Sequence, residues 1–242
     1  MMFQWKPDMV RFMRAASEYN TYNQELTQLM RPYLTKKTHI CDVGCGLGYL
    51  SLALAPYVGR VTAVDANADA LRVLEENRTL REIHNLQILH GDVFHMRPTE
   101  PYDSMAFCFF GQIGEIFSIA KKQCRGKVFA FKRNYRMHRF SVSTYESGND
   151  SYQNACAYLR EKKIPFEGQE LSLELGQPFR DLSDARLFFE TYNRGDAPVT
   201  NAFLRERVVE TGREDFPLYM PHKRDIGWLV MDVDDIPEEY FI

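Results

Sequence analysis

The chain lacks the features of a disulfide-rich, metal-stabilised or membrane-spanning protein. Its five cysteines are an odd number without a CxxC pair among 242 residues, so we expect neither a disulfide framework nor a zinc site. The six histidines are scattered without the spacing of metal ligands, and we expect no metal. No apolar run approaches the ~20 residues that a membrane span needs.

The chain also lacks a strong excess of either charge. Its formal charge of −3 gives no general attraction to nucleic acid or to an anionic membrane. The first residues do not show the basic-then-apolar layout of a signal peptide. We therefore expect a cytoplasmic protein without a membrane partner, organised as a single domain over residues 1–242. Nothing in the composition predicts an oligomeric state.

The most informative segment of the sequence is residues 38–57. A short apolar strand leads into three alternate glycines, Gly44, Gly46 and Gly48, and an apolar helix follows. Glycine has no Cβ, so it permits positive φ and lets a ligand lie directly against the backbone. The helix that follows presents unpaired N–H groups toward the same place. The segment therefore predicts a binding site for a nucleotide-type ligand.

From residue 38 onward, apolar strands alternate with amphipathic helices. The predicted strands are 39–43, 60–65, 86–92, 103–110, 126–131, 170–175 and 225–233. This alternation predicts an α/β fold, a doubly wound and mostly parallel seven-stranded sheet with helices on both faces. We expect an N-terminal helical cap over 1–36, a cofactor-binding half over 37–135 and a substrate-side half over 136–242. The last contains a helical insertion at about 181–213, before the final strand.

The glycine spacing distinguishes two kinds of nucleotide site. A dinucleotide fingerprint requires a third glycine where this chain has Tyr49. The spacing is instead acidic-x-Gly-x-Gly-x-Gly, beginning at Asp42, and Asp65 follows Gly46 by 19 residues at the end of the second strand. A carboxylate there is suited to accept hydrogen bonds from ribose hydroxyls. Over residues 35–135 the chain resembles the class I S-adenosylmethionine-dependent methyltransferases, and an NAD-dependent oxidoreductase is the weakest alternative.

This resemblance implies S-adenosyl-L-methionine as the cofactor. By the family pattern, Asp42 helps to hold its methionine end, Asp65 meets the ribose, and Asp92 after the third strand contacts the adenine amino group. The implied cofactor-binding residues are Asp42, Gly44, Cys45, Gly46, Gly48, Asp65, Ala66, Asp92 and Val93.

The acceptor is harder to predict. Nitrogen-directed DNA and protein methyltransferases often have an Asn/Asp-Pro-Pro-aromatic motif after the fourth strand, whereas this chain has Phe-Phe-Gly-Gln at 109–112. That departure argues against those subclasses and leaves Gln112 as the nearest polar candidate for the substrate pocket. Tyr19 and Tyr22 are further candidates, because an aromatic face attracts a sulfonium cation. Both tyrosines are equally compatible with plain packing of the N-terminal helices, and no catalytic residue can be assigned.

We therefore expect methyl transfer to an oxygen, nitrogen or sulfur atom of a small molecule by in-line displacement. Positioning and exclusion of water can supply much of the catalysis in such a reaction. Two alternatives remain open: an S-adenosylmethionine-binding regulatory protein without transferase activity, and a protein or RNA methyltransferase. Only the basic segment at 132–139 supports the last, and we do not expect a nucleic-acid partner.

Overall fold

The computed structural model describes residues 5–135, 140–142 and 151–240. Its main element is a seven-stranded sheet of order β3-β2-β1-β4-β5-β10-β6. The strands are β1 His39–Val43, β2 Arg60–Asp65, β3 Leu86–His90, β4 Tyr102–Cys108, β5 Cys124–Arg133, β6 Glu167–Glu174 and β10 Lys223–Asp232. None of the helices in the described ranges has the length and apolar character to cross a membrane.

The sheet is mostly parallel, as predicted. β1 pairs in parallel with β2 and β4, β2 with β3, and β4 with β5, whereas β10 is antiparallel to both β5 and β6. The chain moves outward from β1 to β3 on one side and returns to place β4 on the other side. This reversal creates a crevice at the carboxyl ends of β1 and β4, where open α/β sheets bind their ligands.

Helices cover both faces of the sheet, which confirms the predicted doubly wound fold. The helices are α1 Pro7–Tyr19, α2 Tyr22–Met30, α3 Tyr49–Leu54, α4 Ala68–Leu80, α5 Ile113–Gln123, α6 Tyr152–Glu161, α7 Leu182–Tyr192 and α8 Asn201–Arg207. One buried cluster contains Leu26 of α2 and Leu74 of α4. A second contains Phe117 of α5 and Leu159 of α6. Most of the sheet therefore lies between two apolar layers, whereas the edge strand β6 is largely exposed.

Local sequence signals set several helix ends. The Asn67 side chain accepts a hydrogen bond from the Ala70 amide at 3.0 Å and caps α4. Asp181 caps α7 by accepting from the Asp184 amide at 2.8 Å. Pro32 lies in the 3-10 turn that directly follows α2. Each of these residues is a type favoured at its position.

The insertion before β10 holds the two predicted helices and, in addition, a small sheet that the sequence did not predict. Strands β7 Gln177–Phe179, β8 Val209–Glu210 and β9 Leu218–Met220 pair antiparallel in the order β7-β9-β8. Strands of two or three residues are too short to show an alternating pattern. The insertion predicted to be helical to about residue 213 is helical only as far as Arg207, because the chain there turns into β8.

The N-terminal helices pack against this insertion. The ring of Phe12 in α1 lies 5.1 Å from that of Phe188 and 6.4 Å from that of Phe179, both edge-on. Arg11 forms a salt bridge with Asp184 at 2.7 Å. The predicted N-terminal cap thus contacts the insertion that precedes β10.

Candidate functional site

The turn after β1 requires glycine for two separate reasons. Gly44, Gly46 and Gly48 have φ values of +65°, +53° and +75°, a region that other residues enter only with strain. A Cβ on Gly44 would lie 2.2 Å from the ring of Phe110, and one on Gly48 would lie 2.2 Å from Leu74. Backbone conformation and close packing therefore both select glycine in this turn.

Backbone and side-chain hydrogen bonds hold the glycine turn against the end of β2. The Cys45 amide donates to the Val64 carbonyl at 3.0 Å. The backbone amides of Gly46 and Asn67 donate to separate oxygens of Asp65, each at 2.8 Å. A carboxylate has about four acceptor positions, so Asp65 retains the capacity to accept further hydrogen bonds.

Asp42 is a buried carboxyl group beneath the same turn, with 1% of its surface exposed. It accepts a 2.5 Å hydrogen bond from the Ser51 hydroxyl. Burial raises the pKa of Asp42 to about 6, the Ser51 hydrogen bond opposes that shift, and the charge of Asp65 adds to it. A cation bound nearby would favour the charged form of Asp42.

Asp92 and Val93 shape the turn after β3. One oxygen of Asp92 accepts from the Phe94 amide at 3.0 Å, and the other lies 3.0 Å from Nδ1 of His95. The buried Val93 carbonyl accepts from the Gln123 side chain at 2.7 Å. The turn is therefore fixed by its own hydrogen bonds, with the Asp92 carboxylate left exposed at its surface.

These groups line a single cavity of about 780 Å³. Its volume falls in the range of about 300–1,000 Å³ that is typical of small-molecule sites. All nine residues implied by the resemblance line this cavity: Asp42, Gly44, Cys45, Gly46, Gly48, Asp65, Ala66, Asp92 and Val93.

Aromatic side chains form much of the remaining wall. Trp5 and Tyr22 come from the N-terminal segment, and Phe109 and Phe110 follow β4. The ring of Trp5 lies over the turn, 3.3 Å from the position that a Cβ on Gly46 would occupy. Residues from both flanks of the glycine turn thus border the cavity.

Two of the three predicted substrate contacts lie outside the cavity lining. Tyr19 stacks on the ring of Tyr219 at 4.9 Å, so it takes the packing role. Gln112 is exposed and forms the N-cap of α5, where its amide donates to Glu115 at 2.7 Å. The polar residue after β4 therefore caps the start of a helix, and Tyr22 alone of the three lines the cavity.

Of the basic segment predicted at 132–139, the described residues 132–135 are buried or half-buried. Lys132 is buried in β5, and its Nζ donates to the Gly111 carbonyl. Residues 136–139 lie outside the described residues. Lys132 therefore stabilises the chain just after β4, a role that a charged run in the sequence does not reveal.

Arg224 is the principal cavity residue that the sequence did not single out. Its guanidinium carbon lies 4.0 Å from the centroid of the Phe109 ring and 5.9 Å from that of Tyr22. β10 is antiparallel to β5, so its first residues lie at the edge where the parallel strands end. The only signal in the sequence was a cation just before the last strand.

Tyr22 adds a polar group to the same wall. The residue is 3% exposed, and its hydroxyl makes no hydrogen bond within the described part of the chain. Burial raises the pKa of Tyr22 far above its usual value; the nearby Arg224 guanidinium opposes the shift, although no hydrogen bond of good geometry joins the two. The hydroxyl therefore stays protonated and can donate.

Comparison with known proteins identifies the family. Residues 34–161, more than half of the chain, match the family model described as a methyltransferase domain. A demethylmenaquinone methyltransferase of Listeria monocytogenes is 29% identical over 92 residues, which are 36% of this chain and 38% of that protein. An uncharacterized RNA methyltransferase of Protochlamydia amoebophila is 38% identical over 63 residues, 26% of this chain and 14% of that protein.

The fold matches known structures over a longer range. The crystal structure of precorrin-6y C5,15-methyltransferase from Geobacter metallireducens superposes with a TM-score of 0.52 at 12% identity, covering 86% of this chain and 87% of that one. Identity at this level establishes the fold alone. The chain spans less than half the length of the two curated relatives described above.

Proposed function

This chain belongs to the methyltransferase-domain family and is an S-adenosylmethionine-dependent enzyme, and we propose that it transfers the methyl group to a small molecule. The cofactor supplies a methyl group on a positively charged sulfur. The protein then has to bind the cofactor, orient the acceptor and exclude water, which are the main contributions that an enzyme makes to an in-line displacement.

We propose that the nine predicted residues around the glycine turn hold the cofactor. The unused acceptor positions of Asp65 suit the two ribose hydroxyls. The exposed carboxylate of Asp92 suits the adenine amino group, and Asp42 favours the positive charge of the methionine end. The turn of Gly44–Gly48 allows the cofactor to approach the backbone closely. Support comes from the single cavity that all of these residues line.

One observation carries the proposal of a small acceptor. The cavity that contains the cofactor residues continues to the end of β4, where Phe109 and Phe110 form its wall and Trp5 lies over the turn. Its volume of about 780 Å³ suits a cofactor and a compact acceptor rather than an open macromolecular surface. The aromatic rings at this end of the cavity also keep water from the reacting groups.

A macromolecular acceptor is the second candidate, because one curated relative is an RNA methyltransferase. The net charge of −3 does not favour binding to a polyanion. We also propose a cytoplasmic location, supported by five cysteines that are all free, as is usual in a reducing compartment.

A transfer assay distinguishes the acceptor classes. The purified protein is incubated with methyl-labelled S-adenosylmethionine and, separately, with a low-molecular-mass cell extract, total RNA or total protein. We expect label to enter material that passes a small-pore filter. Label retained with RNA or protein would contradict the proposal, and cofactor binding without transfer to any pool would favour the regulatory alternative.

A further inference from the structure

The cavity has two ends of opposite character. Asp42 and Asp65 lie at the carboxyl ends of β1 and β2, and Asp92 follows β3, all on one side of the crevice. Arg224 lies on the other side, against Phe109 at the end of β4. It is the one Arg or Lys among the described residues that line the cavity. A positively charged cofactor is suited to the acidic end, and an anion is suited to the end with Arg224.

The positive charge of Arg224 is not neutralised by the described part of the protein. Within the described residues its guanidinium forms no salt bridge, and the groups that interact with it are Tyr22, Tyr135, Phe109 and Cys108. A guanidinium removed from water without an anion is unfavourable. Its five N–H donors exceed what these neighbours can accept. Arg224 therefore has both charge and donors available for a ligand.

Tyr22 provides a second, independent donor. Its hydroxyl is buried, lacks a hydrogen bond in the described residues and belongs to a residue that lines the cavity. A buried polar group without a partner is uncommon in folded proteins and calls for an explanation. A bound oxygen between Tyr22 and Arg224 would satisfy both groups.

We propose that Arg224 and Tyr22 bind a carboxylate of the methyl acceptor, so that the substrate is a small carboxylic acid. This inference rests on the proposed function. The planar fork of arginine binds carboxylate and phosphate alike, but a single guanidinium neutralises only one negative charge. Three carboxyl groups line the same cavity, and they would repel a dianion. The aromatic rings of Phe109 and Phe110 then accommodate the apolar part of the acid.

Benzoate and its neutral analogue benzamide provide the test. Each is titrated calorimetrically into protein saturated with S-adenosylhomocysteine, the product form of the cofactor. We expect benzoate to bind at least tenfold more tightly than benzamide. Arg224→Gln should weaken benzoate binding by about 10- to 100-fold, as expected for a lost charge-assisted hydrogen bond, and leave benzamide unchanged.

Three further variants define the site. Arg224→Lys should retain part of the preference for benzoate over benzamide, since lysine keeps the positive charge but lacks the planar fork of N–H donors. Tyr22→Phe should weaken benzoate binding by about 3- to 10-fold. Arg213→Gln is the matched control, because Arg213 is exposed and pairs with Asp215 outside the cavity. Equal affinity for benzoate and benzamide, or an Arg224→Gln variant that binds benzoate normally, would overturn the proposal.

Arg224 could instead bind the carboxylate of the cofactor, and a second titration distinguishes this alternative from binding of the acceptor. Arg224→Gln should change the affinity for S-adenosylhomocysteine by less than about twofold. A tenfold loss that is absent with 5′-methylthioadenosine, which lacks the amino-acid part, would assign Arg224 to the cofactor and overturn the proposal. Failure of the wild type to bind S-adenosylhomocysteine would contradict the cofactor site itself, independently of the benzoate result.

Discussion

The amide nitrogen of Gly46 donates to Oδ2 of Asp65 across 2.8 Å, and this bond joins the turns that follow β1 and β2. The second oxygen of Asp65 accepts from Asn67, the N-cap of α4. One carboxylate therefore fixes the glycine turn and the start of the next helix. Asp65 has a structural role in addition to the ligand contact that we propose for it.

Replacing Asp65 tests that double role. Asp65→Asn keeps an oxygen acceptor but removes the charge and turns one acceptor into a donor facing a backbone amide. We expect the dissociation constant for S-adenosylmethionine to rise by about 10- to 100-fold, measured by equilibrium dialysis. Asp69→Asn is the control, since the Asp69 side chain is 73% exposed and pairs with Arg72. Equal affinities in the two variants would remove Asp65 from the site.

Two glycines with nearly identical φ angles allow backbone strain to be separated from steric overlap. Gly48 and Gly212 have φ values of +75° and +74°, but a Cβ on Gly48 would lie 2.2 Å from Leu74, whereas one on Gly212 meets nothing within 4 Å. Gly212→Ala should lower the free energy of unfolding by about 1–2 kcal/mol. Gly48→Ala should lower it by a further ~1–3 kcal/mol through overpacking.

Urea unfolding of the wild type and both variants measures these changes. The difference between the two alanine variants isolates the overlap with Leu74, because the backbone contribution is shared. A Gly48→Ala variant that is no less stable than Gly212→Ala would contradict the close contact between Leu74 of α4 and Gly48.

Asp42 predicts a pH dependence of stability. Its pKa is raised from 3.8 to about 6 in the folded state, so between these values the folded protein binds a proton that the unfolded chain has released. The free energy of unfolding contributed by Asp42 therefore falls as the pH rises through this window, and the loss is complete above about pH 6. Its size is on the order of 3 kcal/mol at 1.36 kcal/mol per pKa unit.

The neutral variant Asp42→Asn provides the reference. The free energy of unfolding of this variant minus that of the wild type should increase from pH 4 to pH 7. Urea unfolding of the two cofactor-free proteins measures this difference, in which the contributions of other titrating groups cancel. Ser51→Ala removes the hydrogen bond that lowers the Asp42 pKa, so it should move the transition to higher pH. A difference that is independent of pH would show that Asp42 is not buried as described.

Trp5 gives a spectroscopic signal for the cavity. The chain has two tryptophans; Trp5 lies over the glycine turn, and Trp228 is buried within β10. Cofactor binding should change the fluorescence of the wild type and of Trp228→Phe. The change should disappear in Trp5→Phe, although dialysis still detects binding. A signal that persists in Trp5→Phe would place the bound cofactor away from Trp5.

The fold was largely predictable because its signals are local. The strand–glycine–helix segment, the Asn67 cap and the position of Pro32 each depend on a few neighbouring residues, and all are present in the structure. The sheet of β7, β8 and β9 was missed because its strands are only two or three residues long and β7 pairs with β9, about 40 positions away. Such pairing leaves no periodic pattern in the sequence.

The proposed cofactor half of the site was more predictable than the proposed acceptor half for a similar reason. The glycine turn, Asp65 and Asp92 follow consecutive parallel strands, so their order along the chain already places them at one edge. Arg224 reaches that edge only through the antiparallel return of β10, more than 100 residues after Phe109. Gln112 was predicted for the substrate pocket from its position after β4, but a polar residue there can serve as a helix cap instead.

The central claim is that the cavity around Gly44–Gly48 binds S-adenosylmethionine. Calorimetric titration of the wild-type protein with S-adenosylmethionine, and separately with NAD, tests it most directly. We predict saturable binding of one S-adenosylmethionine per chain, competed by S-adenosylhomocysteine, and no binding of NAD at the same concentrations. Preferential binding of NAD, or no binding of S-adenosylmethionine, would contradict the claim.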